Sequence, residues 1–154
     1  MEASWKYKEY FSARGWAENI PYPGIHQVLD SLQKEGMQLA IATSKPEEFA
    51  LRIAEHFDLL PYFSLVCGAP MQESDAGKKE NVIAAALQRL GSPKREEVIM
   101  VGDRKHDIDG AHKNDLPAIG VLYGYGSREE LTAAGADYIT ESVQSLYALL
   151  RNGR

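Results

Sequence analysis

An α/β domain built on a parallel sheet covered by helices on both faces, a Rossmann-like arrangement, is predicted by three features of the sequence. Short runs such as Leu39–Ala42, Leu65–Gly68, Val98–Val101 and Ala118–Val121 are apolar throughout, as strands buried on both faces must be. Between them lie longer segments whose apolar residues recur every three or four positions, the spacing of a helix with one buried stripe. The two patterns alternate along the chain, and that alternation marks parallel strands joined by helical crossovers, which are right-handed.

The elements follow in order. Ser4 to Arg14 reads as a short helix ending at Gly15. Pro23-Gly24 opens a second helix carrying Ile25, Val28, Leu29 and Leu32, with Gly36 as its stop. Leu39–Ala42 is the next strand, broken by Thr43-Ser44-Lys45-Pro46, and Phe49, Ile53 and Phe57 mark the buried stripe of the helix after it. After the strand Leu65–Gly68, the residues Val82, Ile83, Ala86, Leu87 and Leu90 make a clean amphipathic helix closed by Gly91 and Pro93. Val98–Val101 runs into Gly102-Asp103, a short helix continues through Ala111, and Ala118–Val121 follows as a strand. Ser127-Arg-Glu-Glu130 has the form of a capping box and starts a further helix. Tyr138-Ile139 is a last strand, and Val143, Leu146, Leu149 and Leu150 belong to a closing helix.

Composition narrows the function. The chain has 154 residues, enough for one domain with a real core, and 44% are hydrophobic against 25% charged. A net charge of -5, with 17 scattered basic residues, argues against a nucleic-acid partner, because phosphate backbones require clustered Lys and Arg. No apolar run has the length of a membrane span, and Met1 to Tyr10 contains no apolar stretch of the kind found in secretory leaders. The lone Cys67 has no internal disulfide partner. A reducing, cytoplasmic setting is the expectation.

In parallel sheets ligands bind beyond the carboxyl ends of the strands, and several polar residues fall there. Thr43 and Ser44 follow the strand Leu39–Ala42, Asp103 follows Val98–Val101, and Asp107 lies four residues on, on the same face of any helix starting there. Lys79 stands near the start of the helix carrying Val82. Two carboxylates suit Mg2+, which binds through one or two carboxylates, waters and substrate oxygens. An ammonium and a hydroxyl suit a transferring phosphoryl group. Other polar residues carry plainer readings: His106 and His112 as surface groups, Cys67 as a small core residue, and Tyr123 and Tyr125 as either site rim or turn closure.

At this point the residues acquire a family likeness. Leu39 to Pro46 (LAIATSKP), Lys79-Glu-Asn-Val-Ile83 and Val101-Gly-Asp-Arg-Lys-His-Asp-Ile-Asp-Gly-Ala111 resemble motifs II, III and IV of haloacid-dehalogenase-like hydrolases. Gly120–Glu130 and Ala134–Tyr138 are similar to the tail of the branch containing phosphoglycolate phosphatases and 5'-nucleotidases. The resemblance implies a Mg2+-dependent phosphomonoester hydrolase acting on a small phosphorylated metabolite or nucleotide. By position, Thr43 and Ser44 would contact the phosphate, Lys79 would neutralise phosphate and nucleophile, and Asp103 and Asp107 would hold the metal.

One family feature is missing. The resemblance implies a phospho-aspartate formed on the first residue of an Asp-x-Asp motif, at the end of a central strand that precedes everything above. The first aspartate of this chain is Asp30. Asp107-Ile-Asp109 has the right letters but belongs to the motif IV stretch. The chain is therefore expected to divide into a remnant of a helical cap at residues 1–20 and a partial core at 21–154, with a gap where the central strand belongs. Two open strand edges would then invite self-association. Catalysis by the chain alone is expected to be impaired. The alternative is a non-catalytic module that retains Mg2+ and phosphate affinity or completes another chain.

Overall fold

The computed structural model describes the backbone of residues 4–7 and all atoms of residues 24–70 and 75–152. Six strands form one sheet in the order β3-β2-β1-β4-β5-β6, every neighbouring pair parallel. They are β1 (Ser4–Tyr7), β2 (Gln38–Pro46), β3 (Leu65–Ala69), β4 (Val98–Gly102), β5 (Ala118–Val121) and β6 (Tyr138–Thr140). The helices are α1 (Ile25–Lys34), α2 (Glu47–His56), α3 (Lys79–Arg89), α4 (Lys105–Lys113), α5 (Arg128–Ala133) and α6 (Val143–Asn152).

The period of two along each strand sorts side chains into two cores. Leu39 and Ile41, Ile99 and Val101, and Ile119 and Val121 pack with residues of α1, α2 and α6. Val98, Met100 and Ala118 point the other way, to Val82, Ile83 and Leu87 of α3, Ile108 of α4 and Leu131 of α5. Both faces are covered, which is why the strands read as continuous apolar runs. Cys67 lies in the second core, 2% exposed.

Two expectations are corrected. Residues 4–7 of the expected helix Ser4–Arg14 are a strand instead; residues 8–14 lie outside the described residues, as does the expected division at 20/21. This strand occupies the central position that was expected to be a gap. Tyr7 pairs with Ile41 on one side and Val101 on the other. Over residues 38–41 of β2 and 98–101 of β4 the facing edges are therefore paired through β1. A smaller correction concerns α2: Phe49 is 41% exposed, while Ala50, Ile53 and Ala54 form the buried stripe. The apolar β2 also runs past Ala42 to Pro46, with an irregularity against β3 between those two residues.

Candidate active site at the carboxyl rim of the sheet

The strand order reverses direction between β1 and β4. A doubly wound sheet opens its ligand crevice at such a switch point, beyond the strand ends. Thr43 and Asp103 flank that point, each two residues beyond the positions paired with Tyr7.

Among the described residues, the buried charged side chains are Lys79, Asp103 and Asp107. All three meet at this rim. Lys79 Nζ donates to the Ala42 carbonyl at 3.2 Å and lies 3.0 Å from Asp107 Oδ1. It thus ties the end of β2 to α4. Asp107 Oδ2 accepts the backbone N–H groups of Asp103 and Arg104, each at 3.1 Å, so the same carboxylate caps α4 and shapes the turn after β4. Thr43, 2% exposed, accepts the Lys45 N–H on Oγ1 at 3.1 Å. The four residues singled out from sequence are brought to one rim. Ser44 is exposed and joins Lys79, Lys78, His106 and Asp109 around an adjoining cavity of about 370 Å³.

Asp103 is gripped from the loop after β5. Its Oδ2 accepts the Tyr125 N–H at 2.9 Å and its carbonyl accepts the Gly126 N–H at 2.9 Å. A Cβ on Gly124 would stand 2.3 Å from Asp103 Cβ, and one on Gly126 would stand 2.1 Å from the Asp103 carbonyl oxygen. Only glycine allows the loop to come this close. Gly102 has the same role beneath Asp107, whose Cβ would be 2.3 Å from an added methyl group.

These features bear on a metal. Two buried carboxylates against one buried ammonium give this rim an excess of anionic oxygen, and Asp103 is held in one orientation. That donor set fits a single Mg2+ completed by water and substrate oxygens. Asp107 Oδ2 is taken by the two backbone N–H groups of the turn, while Oδ1 faces the Lys79 ammonium at 3.0 Å. Among the described residues no group of three His, Cys, Asp or Glu side chains gathers as a denser metal site would require.

The sequence reading missed Arg104 and Glu130. Glu130 Oε2 accepts Arg104 Nε at 2.9 Å and the Lys105 N–H at 2.9 Å. The Arg104 hydrogen bond, helped by the Lys105 N–H and opposed by burial, holds the Glu130 carboxyl below its usual range. Glu130 in turn raises the Arg104 guanidinium. The residues given plainer readings sit as follows. His106 and Asp109 are exposed on α4, and His112 Nε2 lies 2.9 Å from Asp137 Oδ2. Tyr125 is 51% exposed and contributes its backbone rather than its ring.

A parallel doubly wound sheet with a Thr, a Lys and paired Asp residues at its switch point is an α/β architecture with a polar, charged crevice at that rim. The chain belongs to the haloacid dehalogenase-like hydrolase family, whose profile matches residues 3–121. It is 39% identical over 141 residues to the tyrosine-protein kinase PtkA of Mycobacterium tuberculosis, an alignment covering 92% of this chain and 48% of that protein. It is 36% identical over 151 residues to a 5'-nucleotidase of Pseudomonas aeruginosa, covering 98% of this chain and 67% of that protein. Among solved structures, a predicted phosphatase from Clostridium acetobutylicum superposes with a TM-score of 0.86 at 45% identity, over 93% of this chain and 65% of that one. The chain thus spans about half the length of the mycobacterial relative it matches.

Proposed function

We propose that this chain supplies the phosphate- and Mg2+-binding half of a cytoplasmic phosphomonoester hydrolase acting on a small phosphorylated metabolite, with phosphoglycolate or a nucleoside 5'-monophosphate as candidate substrates. The observation that carries the reading is the continuous path Ala42–Lys79–Asp107–Asp103 at the switch point of the sheet. Asp103 would hold the metal, which supplies charge neutralisation at the phosphoryl oxygens when bound. Lys79 would present its ammonium to the same oxygens, with Asp107 holding it in place. Thr43, with Ser44 beside it, would orient the phosphate through its hydroxyl and the neighbouring backbone.

The nucleophile is the element this chain does not provide in the family's usual form. Nothing before Asp30 is an aspartate, and the central β1 reads Ser-Trp-Lys-Tyr. Binding with impaired turnover is therefore expected unless a carboxylate is contributed from beyond these residues. The same observation favours the second reading, a non-catalytic module that binds Mg2+ and phosphate. PtkA carries the name of a kinase, and both reactions move a phosphoryl group, so an assay needs an arm for each.

The test combines binding and turnover. Inorganic phosphate with Mg2+ is titrated calorimetrically into the wild type and the Asp103→Asn chain. Hydrolysis of an aryl phosphate and release of ADP from Mg·ATP are followed alongside. Phosphate binding that needs Mg2+ and is lost in Asp103→Asn, without turnover, is the expected result. Strong aryl phosphate turnover by the wild type, abolished by Asp103→Asn, would refute the missing nucleophile. ADP release without phosphatase activity would replace the hydrolase reading, and absence of any Mg2+ or phosphate binding would overturn the site.

A further inference from the structure

The segment Ser127–Glu130 predicts a capping box, in which the acid turns back on the N–H of the capping serine. Half of that box forms: Ser127 Oγ accepts the Glu130 N–H at 3.0 Å. The Glu130 carboxylate instead crosses to the segment after Asp103. There Oε2 takes Arg104 Nε and the Lys105 N–H, both at 2.9 Å, and Oε1 takes an Arg104 terminal nitrogen at 3.5 Å.

The same loop grips Asp103 from its other end, through the N–H groups of Tyr125 and Gly126. The result is a closed ring of contacts running from Asp103 through Tyr125 and Gly126 to Ser127, on to Glu130, and back through Lys105 and Arg104. The ring is tight, since a Cβ on Gly126 would lie 2.1 Å from the Asp103 carbonyl and 3.1 Å from Glu130 Oε2. Because Oδ2 accepts the Tyr125 N–H, the orientation of the Asp103 carboxylate responds to how firmly the loop is anchored. Glu130 is the anchor that joins both ends.

We infer that Glu130 is a positioning residue for the metal carboxylate, acting on Asp103 through the backbone of Lys105 and the loop at 124–127. The inference rests on the reading of Asp103 as the Mg2+ ligand. An internal control exists on the same helix. Arg128 pairs with Glu141 at 3.1 Å, with side chains 56% and 77% exposed, a side-chain pair that is not one of the hydrogen bonds closing the ring. An ordinary helix-fixing ion pair would behave alike at both places, whereas a positioning residue would change metal affinity at only one. Loss of a partner that orients a metal ligand typically weakens the metal by about 10–100-fold.

The experiment titrates Mg2+ alone into the 154-residue chain and into its Glu130→Ala, Glu130→Gln and Arg128→Ala variants, and records the metal-free unfolding midpoint of each. Glu130→Ala is expected to raise the Mg2+ Kd about 10-fold or more. Glu130→Gln, which keeps one acceptor oxygen, should raise it less, and Arg128→Ala should leave it unchanged, while the metal-free midpoints of the Glu130 variants fall by no more than about 2–4 °C, so that all the chains are folded during the titration. Should Glu130→Ala not fold, Glu130→Gln carries the comparison. Wild-type affinity in the Glu130 variants, or an equal loss in Arg128→Ala, overturns the inference while leaving Asp103 as ligand. A wild type that binds no Mg2+ overturns both.

Discussion

The pair at the heart of the rim, Lys79 and Asp107, is almost fully dehydrated, with side chains 6% and 0% exposed. Burial of two charges is tolerable because each is also hydrogen-bonded to backbone: Lys79 to the Ala42 carbonyl, Asp107 to two N–H groups. Removing one partner leaves the other charge stranded, at a typical cost of about 3–5 kcal/mol. Lys79→Met is therefore expected to be strongly destabilised in urea unfolding. The double variant Lys79→Met with Asp107→Asn should recover part of that loss, a coupling of about 0.5–3 kcal/mol, because the amide oxygen it places at position 107 can still accept the backbone donors. Strict additivity of the two single losses would show that the charges do not interact. These residues were legible in the sequence because each stands at a strand or helix end, where a position predicts a role. Glu130 was not, since its partners lie about 25 residues earlier in the chain and a local capping role accounted for it fully.

At the scale of elements, α5 is held to the start of α4 by a group whose protonation reports on the contact. The Arg104 bond lowers the Glu130 pKa in the folded chain. A depressed carboxyl contributes stability that is complete above its unfolded value, roughly 4.3 for glutamate, and is lost as pH falls through the folded value. The pair is partly exposed, with side chains 38% and 25% accessible, so its contribution is about 1 kcal/mol or less. Chemical unfolding of the wild type and Glu130→Gln should then differ by a constant amount above roughly pH 4.3 and converge as pH falls through the lower folded value. A difference that widens on acidification would contradict the pairing. Element types were read well from periodicity, and helix ends from Gly36 and Gly91, both with positive φ. Rotational setting was harder. Phe49 suits a buried stripe by spacing alone, yet α2 turns the smaller Ala50 and Ala54 inward, and which face meets the sheet depends on neighbours that a local pattern does not contain.

For the whole molecule the parallel architecture was legible because strands buried on both faces have no polar alternation to hide them. The central strand was not. Ser4–Tyr7 mixes a lysine and a serine with two aromatics, a pattern that local propensity assigns poorly, and its strand state depends on pairing with β2 and β4 at once. That dual pairing yields a direct test. Proline is confined to sheet edges and bulges because it offers no N–H to a ladder, and Lys6 lies mid-strand, opposite Ala40 and Met100. Lys6→Pro should cost about 1–3 kcal/mol for the one acceptor that its missing N–H leaves unmet, and displacement of β1 by the ring should raise amide exchange in both β2 and β4. Two freed edges would also template pairing between chains, so size-exclusion chromatography should show stronger concentration-dependent association than in the wild type. Unchanged protection in both flanking strands would mean that β1 does not lie between them, and the sheet would then need another segment at its centre.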